Sequence, residues 1–60
     1  MSDYRPGQIV ATTNASLARG EEVEILEDLG DGWFEVRPTS WRRGSVDIDA
    51  HQVRWVVDER

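Results

Sequence analysis

Ser45, Asp47 and His51 carry the side-chain types of nucleophilic catalysis, in which an imidazole removes a hydroxyl proton and a carboxylate orients the imidazole. Ser45 and Asp47 stand two apart, so they share one face of any strand that holds them. That chemistry further demands His51 within hydrogen-bond reach of Ser45, an oxyanion hole and a pocket, and no motif supplies the last two. The expectation is a chain without catalytic residues, not an enzyme. His51 is the single histidine and there is no cysteine, so neither thiolate nor multi-histidine metal sites have a ligand set. No metal and no cofactor are expected.

The remaining chemistry is that of binding. Ser40-Trp41-Arg42-Arg43 sets an indole beside two guanidiniums, which could stack a base, clamp a phosphate or anchor a protein interface. The plainer expectation is that Trp41 folds back on the body of the protein while Arg42 and Arg43 meet the acids between Glu21 and Glu27. Trp33 has a similar choice. An exposed tryptophan costs hydrophobic free energy unless a partner or its own sheet covers it. Glu21, Glu22, Glu24, Glu27, Asp28 and Asp31 give one flank a strong negative field. Such a run ordinarily keeps a strand edge from aggregating, and its functional reading is a patch for a basic partner or a mimic of nucleic-acid phosphates.

These side chains must be positioned by a chain of 60 residues, which is one domain with a small core. Its 38% hydrophobic residues, three tryptophans among them, suffice for that core, and 32% charged residues describe a soluble surface. Twelve acids against seven arginines give a formal charge of −5 and a pI near 4.6, so the chain as a whole repels nucleic acid and anionic membrane. Apolar stretches such as Ile9-Val10-Ala11 and Trp55-Val56-Val57 are too short to span a bilayer or to form a signal peptide. A cytosolic location is the default.

Glycines at 7, 20, 30, 32 and 44, with Pro6 and Pro38, interrupt every helical period. Short strands fit instead. Gln8 to Thr12 forms the first, and Glu22-Val23-Glu24-Ile25 alternates with period two, which turns Val23 and Ile25 to the core. Glycines on either side of Asp31 supply the positive φ of a hairpin turn. The strand Trp33 to Arg37 follows, with Phe34 and Val36 inward and Trp33, Glu35 and Arg37 outward. Pro38 ends it, and a polar loop leads to a fourth strand, Ser45 to Ile48, with Val46 and Ile48 inward. Asp49 caps a single 3₁₀ turn through Gln52, and Val53 to Val57 closes the chain as a fifth strand on which Trp55 is expected to join Val53 and Val57 in the core. Met1 to Tyr4 and Asp58 to Arg60 are expected to fray, leaving one domain, 1–60, with an ordered core of about 8–57.

This order of parts resembles an SH3 domain from about Gln8 to Val57. The run from Leu17 to Leu26 looks like that family's entry into its second strand. Gly30 to Arg37 is similar to its n-Src loop and the strand that opens with paired aromatics, and Ile48 to Val53 to its strand, 3₁₀ turn and last strand. The resemblance implies an all-β, five-stranded SH3-like barrel. The loop between Ala11 and Leu17 is shorter than the family's RT loop, Gln52 stands where the groove tyrosine would be, and Asp49 stands where the groove proline would be. Trp33 is then the one matched member of a polyproline site, and a PxxP groove needs more aromatic walls than that. The closer likeness is to small bacterial and phage SH3-like barrels, in keeping with a chain whose basic residues are all arginine, a mark of GC-rich coding. Because such barrels bind unrelated partners, the fold alone does not convey function.

The expected function is a non-enzymatic protein-interaction module that meets a protein partner through an aromatic and acidic surface, with Trp33, Glu35, Trp41, Arg42 and Arg43 as partner-binding residues. The alternatives are a nucleic-acid-binding barrel of the KOW-like type, against which the net charge argues, and a structural or assembly piece that pairs through a strand edge. No membrane partner is expected, and the chain should be a monomer or a weak oligomer.

Overall fold

Every strand of the structure is antiparallel to its neighbours, and the local chemistry of β-branched residues between turn glycines explains why. The structure, a computed structural model, describes residues 4–13 and 20–58. Strands β1 (Ile9–Thr12), β2 (Glu22–Gly30), β3 (Trp33–Pro38), β4 (Val46–Asp49) and β5 (Val53–Asp58) form one sheet in the order β4-β3-β2-β1-β5. The only helical turn among the described residues is a 3₁₀ turn, Ala50–Gln52, just before β5. The class is therefore all-β, as expected. Hydrogen bonds do not close the sheet, since β4 and β5 stand at its two ends. Leu17, Ala18 and Arg19, and with them much of the short loop compared above with an RT loop, lie outside the described residues.

Asp31 and Gly32 make the β2–β3 turn. Both have positive φ, 55° and 82°, and they join the paired residues Gly30 and Trp33. Positive φ at both central positions matches the right-handed twist of the flanking strands, which is why a two-residue Asp-Gly connection is favoured there. Beside this hairpin, after β4, Asp49 caps the 3₁₀ turn by accepting from the His51 amide at 2.8 Å, while Gln52 Oε1 accepts from the Asp49 amide at 3.0 Å. Two otherwise unpaired donors are satisfied reciprocally.

Period-two burial holds across the centre of the sheet. Val10, Val23, Ile25, Phe34, Val36 and Ile48 are buried, and Tyr4, Val46, Ala50, Val53 and Val56 pack on them. Tyr4, placed by the sequence at a frayed end, sets its ring edge-on to Phe34 with centroids 5.6 Å apart. Asp58, likewise expected to fray, ends β5 opposite Ile9. The buried side chains of Gln8 and Thr12 are bonded, Gln8 Oε1 accepting from the Arg5 amide and Thr12 Oγ1 donating to the Glu21 carbonyl. Each buried Val, Ile or Phe contributes about 1.5–3 kcal/mol of transfer free energy.

Trp55 departs from expectation. It is 56% exposed, and Val57 is 44% exposed, while Val56 packs on the core. The cause lies in two register shifts of the β1–β5 ladder, where Ala11 pairs with Trp55 but Thr12 with Val53, and Val10 with Val56 but Ile9 with Asp58, so that Arg54 and Val57 are extra residues. One inserted residue reverses the alternation. Val53 and Val56 therefore face inward three positions apart, and Trp55 and Val57 are turned out.

Candidate functional site

Trp33 leaves the Asp31-Gly32 turn as the first residue of β3, and its cross-strand neighbours decide its environment. They are Gly30 on β2 and Asp49 on β4. Glycine offers no side chain to cover the indole, and the Asp49 carboxylate is held by His51, whose Nδ1–H donates to Asp49 Oδ1 at 2.8 Å. The indole is left 45% exposed, and Leu29 in the same hairpin is 44% exposed. The 3₁₀ turn is fastened to this hairpin, because the Ala50 amide donates to the Gly32 carbonyl at 2.7 Å. Trp33 thus sits on anchored backbone.

Two residues along β3, on the same outer face, Glu35 lies between Glu27 of β2 and Asp47 of β4. Three carboxylates in one cross-strand row repel one another, where opposite charges would attract. Within the chain, Glu35 is relieved by Ser45, whose hydroxyl donates to Glu35 Oε2 at 2.7 Å. Farther along, Arg37 pairs in register with Glu24 and donates from Nε to the Gly44 carbonyl at 3.0 Å, tying the loop from Thr39 to Ser45 to the sheet. The outer face of β3 therefore reads aromatic, acid, base, with acids on both flanking strands. Among the described residues no group of three His, Cys, Asp or Glu side chains could hold a metal ion.

The hydrogen bonds that Asp49 accepts displace its titration. The His51 backbone amide bonded to it holds its carboxyl below its ordinary value, and the His51 ring adds to that through its own hydrogen bond. His51 is otherwise in solvent, its side chain 97% exposed. Ser45 is engaged with Glu35 and His51 with Asp49, so the structure does not bring the three catalytic side-chain types of the sequence into one chain of hydrogen bonds.

Trp41, Arg42 and Arg43 occupy a separate place. The Trp41 amide donates to the Pro38 carbonyl at 2.9 Å, which puts the loop at the far end of β3 from Trp33, about 16 Å away at the usual rise per strand residue. The Trp41 ring lies against Gly44, where an added Cβ would stand 3.6 Å from Cε3, and it remains 44% exposed. Gly44 adopts a φ of +93° and gives the ring a flat seat. Arg42 and Arg43 are exposed, and among the described residues neither pairs with a carboxylate within 4.0 Å. The expected meeting of these arginines with Glu21 to Glu27 is not what the structure has. Ser40 makes that approach instead, donating to Glu21 Oε2 at 3.3 Å.

The five expected partner-binding residues thus fall into two groups, Trp33 with Glu35 on the β3 face and Trp41 with Arg42 and Arg43 in the loop. Sequence reasoning missed Asp47 and Asp49 as members of the first group. Their signal lay in the pairing of β3 with β4, which no local pattern fixes. Comparison of the chain with family models, curated proteins and solved structures finds no match, so the reading of the site rests on its own geometry. Among the described residues no helix is long and apolar enough to cross a membrane.

Proposed function

We infer that the chain is a small non-enzymatic protein-interaction module with an SH3-like arrangement. The strand order β4-β3-β2-β1-β5 and the 3₁₀ turn between β4 and β5 support that arrangement, which is the one expected of the family the sequence resembles. The partner-binding surface is the outer face of β3. One observation carries this reading: a half-exposed indole stands two residues along β3 from a cross-strand row in which Glu27, Glu35 and Asp47 lie side by side. A partner presenting an apolar group and a basic side chain would cover the first and neutralise the second.

The test is capture of partners from the native host with three forms of the chain. Wild type and Trp41→Ala retain the same bound protein, and Trp33→Ala loses it. Trp33 is 45% exposed, so its covered part still contributes on the order of 1–3 kcal/mol, and the urea midpoint of Trp33→Ala is read alongside capture so that a lost partner is scored only for the folded variant. Unchanged capture by Trp33→Ala would remove the reading.

A second reading, a nucleic-acid-binding module of the KOW-like type, is favoured by one observation, the exposure of Trp41, Arg42 and Arg43 together in one loop. The charge of −5 opposes it. A low-salt titration with RNA or DNA that produces no shift excludes it.

A further inference from the structure

Asp49 stands directly opposite Trp33 in the β3–β4 ladder, so its carboxylate is the cross-strand neighbour of the half-exposed indole. Glu27, Glu35 and Asp47 in the adjoining row have no cationic side chain within 4.0 Å among the described residues, whereas Asp49 has His51, with Nδ1 2.8 Å from Oδ1. The backbone builds this contact. The Asp49 amide donates to Gln52 Oε1 at 3.0 Å, the His51 amide to Asp49 Oδ1 at 2.8 Å, and the Ala50 amide to the Gly32 carbonyl at 2.7 Å. Those bonds hold the imidazole over the carboxylate that flanks Trp33, while its side chain stays 97% exposed to solvent protons.

We propose that His51 is a proton-dependent competitor for the partner's basic side chain: charged, it occupies the cation position on Asp49 beside Trp33, and neutral, it yields that position. The proposal rests on the binding reading of the β3 face and adds its regulation. Histidine is the side chain that ordinarily changes charge between pH 5 and 8. A neutral ring gives Asp49 one hydrogen bond, which an incoming guanidinium or ammonium can replace with a charge-assisted one. An imidazolium forms an ion pair there and repels the incoming cation.

The surroundings allow this exchange. Asp49 stays ionised through that interval, because the bonds it accepts hold its carboxyl below its ordinary value. The elements packed against the 3₁₀ turn bring Asp31 in the β2–β3 turn, Asp47 on β4 and Arg54 at the start of β5. Neither Asp31 nor Asp47 lies within 4.0 Å of the His51 ring, and the Arg54 guanidinium is turned to Trp55, 5.1 Å from its ring centre. The end of β1, tied to Gln52 by the Thr13 amide, brings no charge. Affinity for a basic partner therefore falls as pH is lowered through the histidine range. Because the groups are exposed, the change is about threefold at low salt and smaller at high salt.

Nuclear magnetic resonance of the isotope-labelled full chain, titrated from pH 8 to pH 5, reads the device without a partner. The Trp33 indole signal moves with the same midpoint as the His51 ring, and the Trp41 indole does not follow. His51→Gln, which keeps a neutral donor in an exposed position and so leaves the fold intact, stops the Trp33 movement. Acetylated argininamide, a guanidinium with no other titrating group, is the probe of the cation position. Read at the Trp33 indole at low salt, its dissociation constant is about threefold higher at pH 5 than at pH 8 for wild type and equal at both for His51→Gln. A Trp33 signal that stays still through the His51 titration, or that still moves in His51→Gln, would overturn the proposal. So would a probe that leaves Trp33 unmoved at both pH values or binds wild type equally at both. Capture by wild type and Trp33→Ala judges the binding surface separately, so a silent His51 leaves that surface standing.

Discussion

At the scale of single residues, charge and cover decide what each side chain of the site can do. Asp49 accepts from the His51 amide and ring, and the hydrogen bonds favour its ionised form. A carboxyl whose value is lower in the folded chain than in the unfolded one adds stability above the unfolded value, and the contribution is lost as pH falls through the folded one. Its exposure keeps the effect small through solvent screening. Thermal unfolding followed from neutral pH into the acid range should therefore fall more steeply for wild type than for Asp49→Ala on the acid limb. Parallel curves would show that the cap carries no titrating contribution. Trp33 belongs to the same scale. Its neighbours are a glycine and an engaged carboxylate, so its exposure follows from who stands beside it and not from its own side chain. No reading of the strand alone could choose between cover and exposure.

At the scale of elements, turn chemistry was legible and strand irregularities were not. Gly30-Asp31-Gly32 announces a hairpin because only a few residue types tolerate positive φ, and the structure places the turn there. Gly32→Ala should cost about 1–2 kcal/mol from the left-handed backbone it would force on alanine, read as a lower urea midpoint with an unchanged slope. An unchanged midpoint would mean that the turn relaxes without cost. The alternation of Val23 with Ile25 and of Phe34 with Val36 was likewise readable, as each pair presents one apolar face. Trp55 was not, because Arg54 and the register shift beside Ala11 reverse the faces of β5. β2 shifts twice against β3, once with Ile25 opposite Val36 but Glu27 opposite Glu35, which leaves Leu26 between them and sets Glu27 into the carboxylate row, and again between Asp28 and Gly30. Bulges leave no local mark when the inserted residue is an ordinary one, here Arg54 or Leu26. The core list survives such shifts, since Val56 takes up the space that Trp55 leaves.

At the scale of the whole molecule, a net charge of −5 is distributed unevenly, and that distribution chooses among partners. Glu24 and Glu27 of β2, Glu35 of β3 and Asp47 and Asp49 of β4 gather on one outer face, while Arg42 and Arg43 stand apart in a loop at the other end of β3. Association with a basic partner on the acidic face should be fast and salt-sensitive, because exposed charges are screened over a Debye length of about 10 Å at 0.1 M salt. The most direct measurement is the amide and indole footprint of the captured partner on the isotope-labelled chain by nuclear magnetic resonance, recorded at low and high salt. The account predicts shifts concentrated on Trp33, Glu35, Asp47 and Glu27, weakening as salt rises, with the Trp41 indole unmoved. A footprint centred on Trp41, Arg42 and Arg43, or one indifferent to salt, would contradict it.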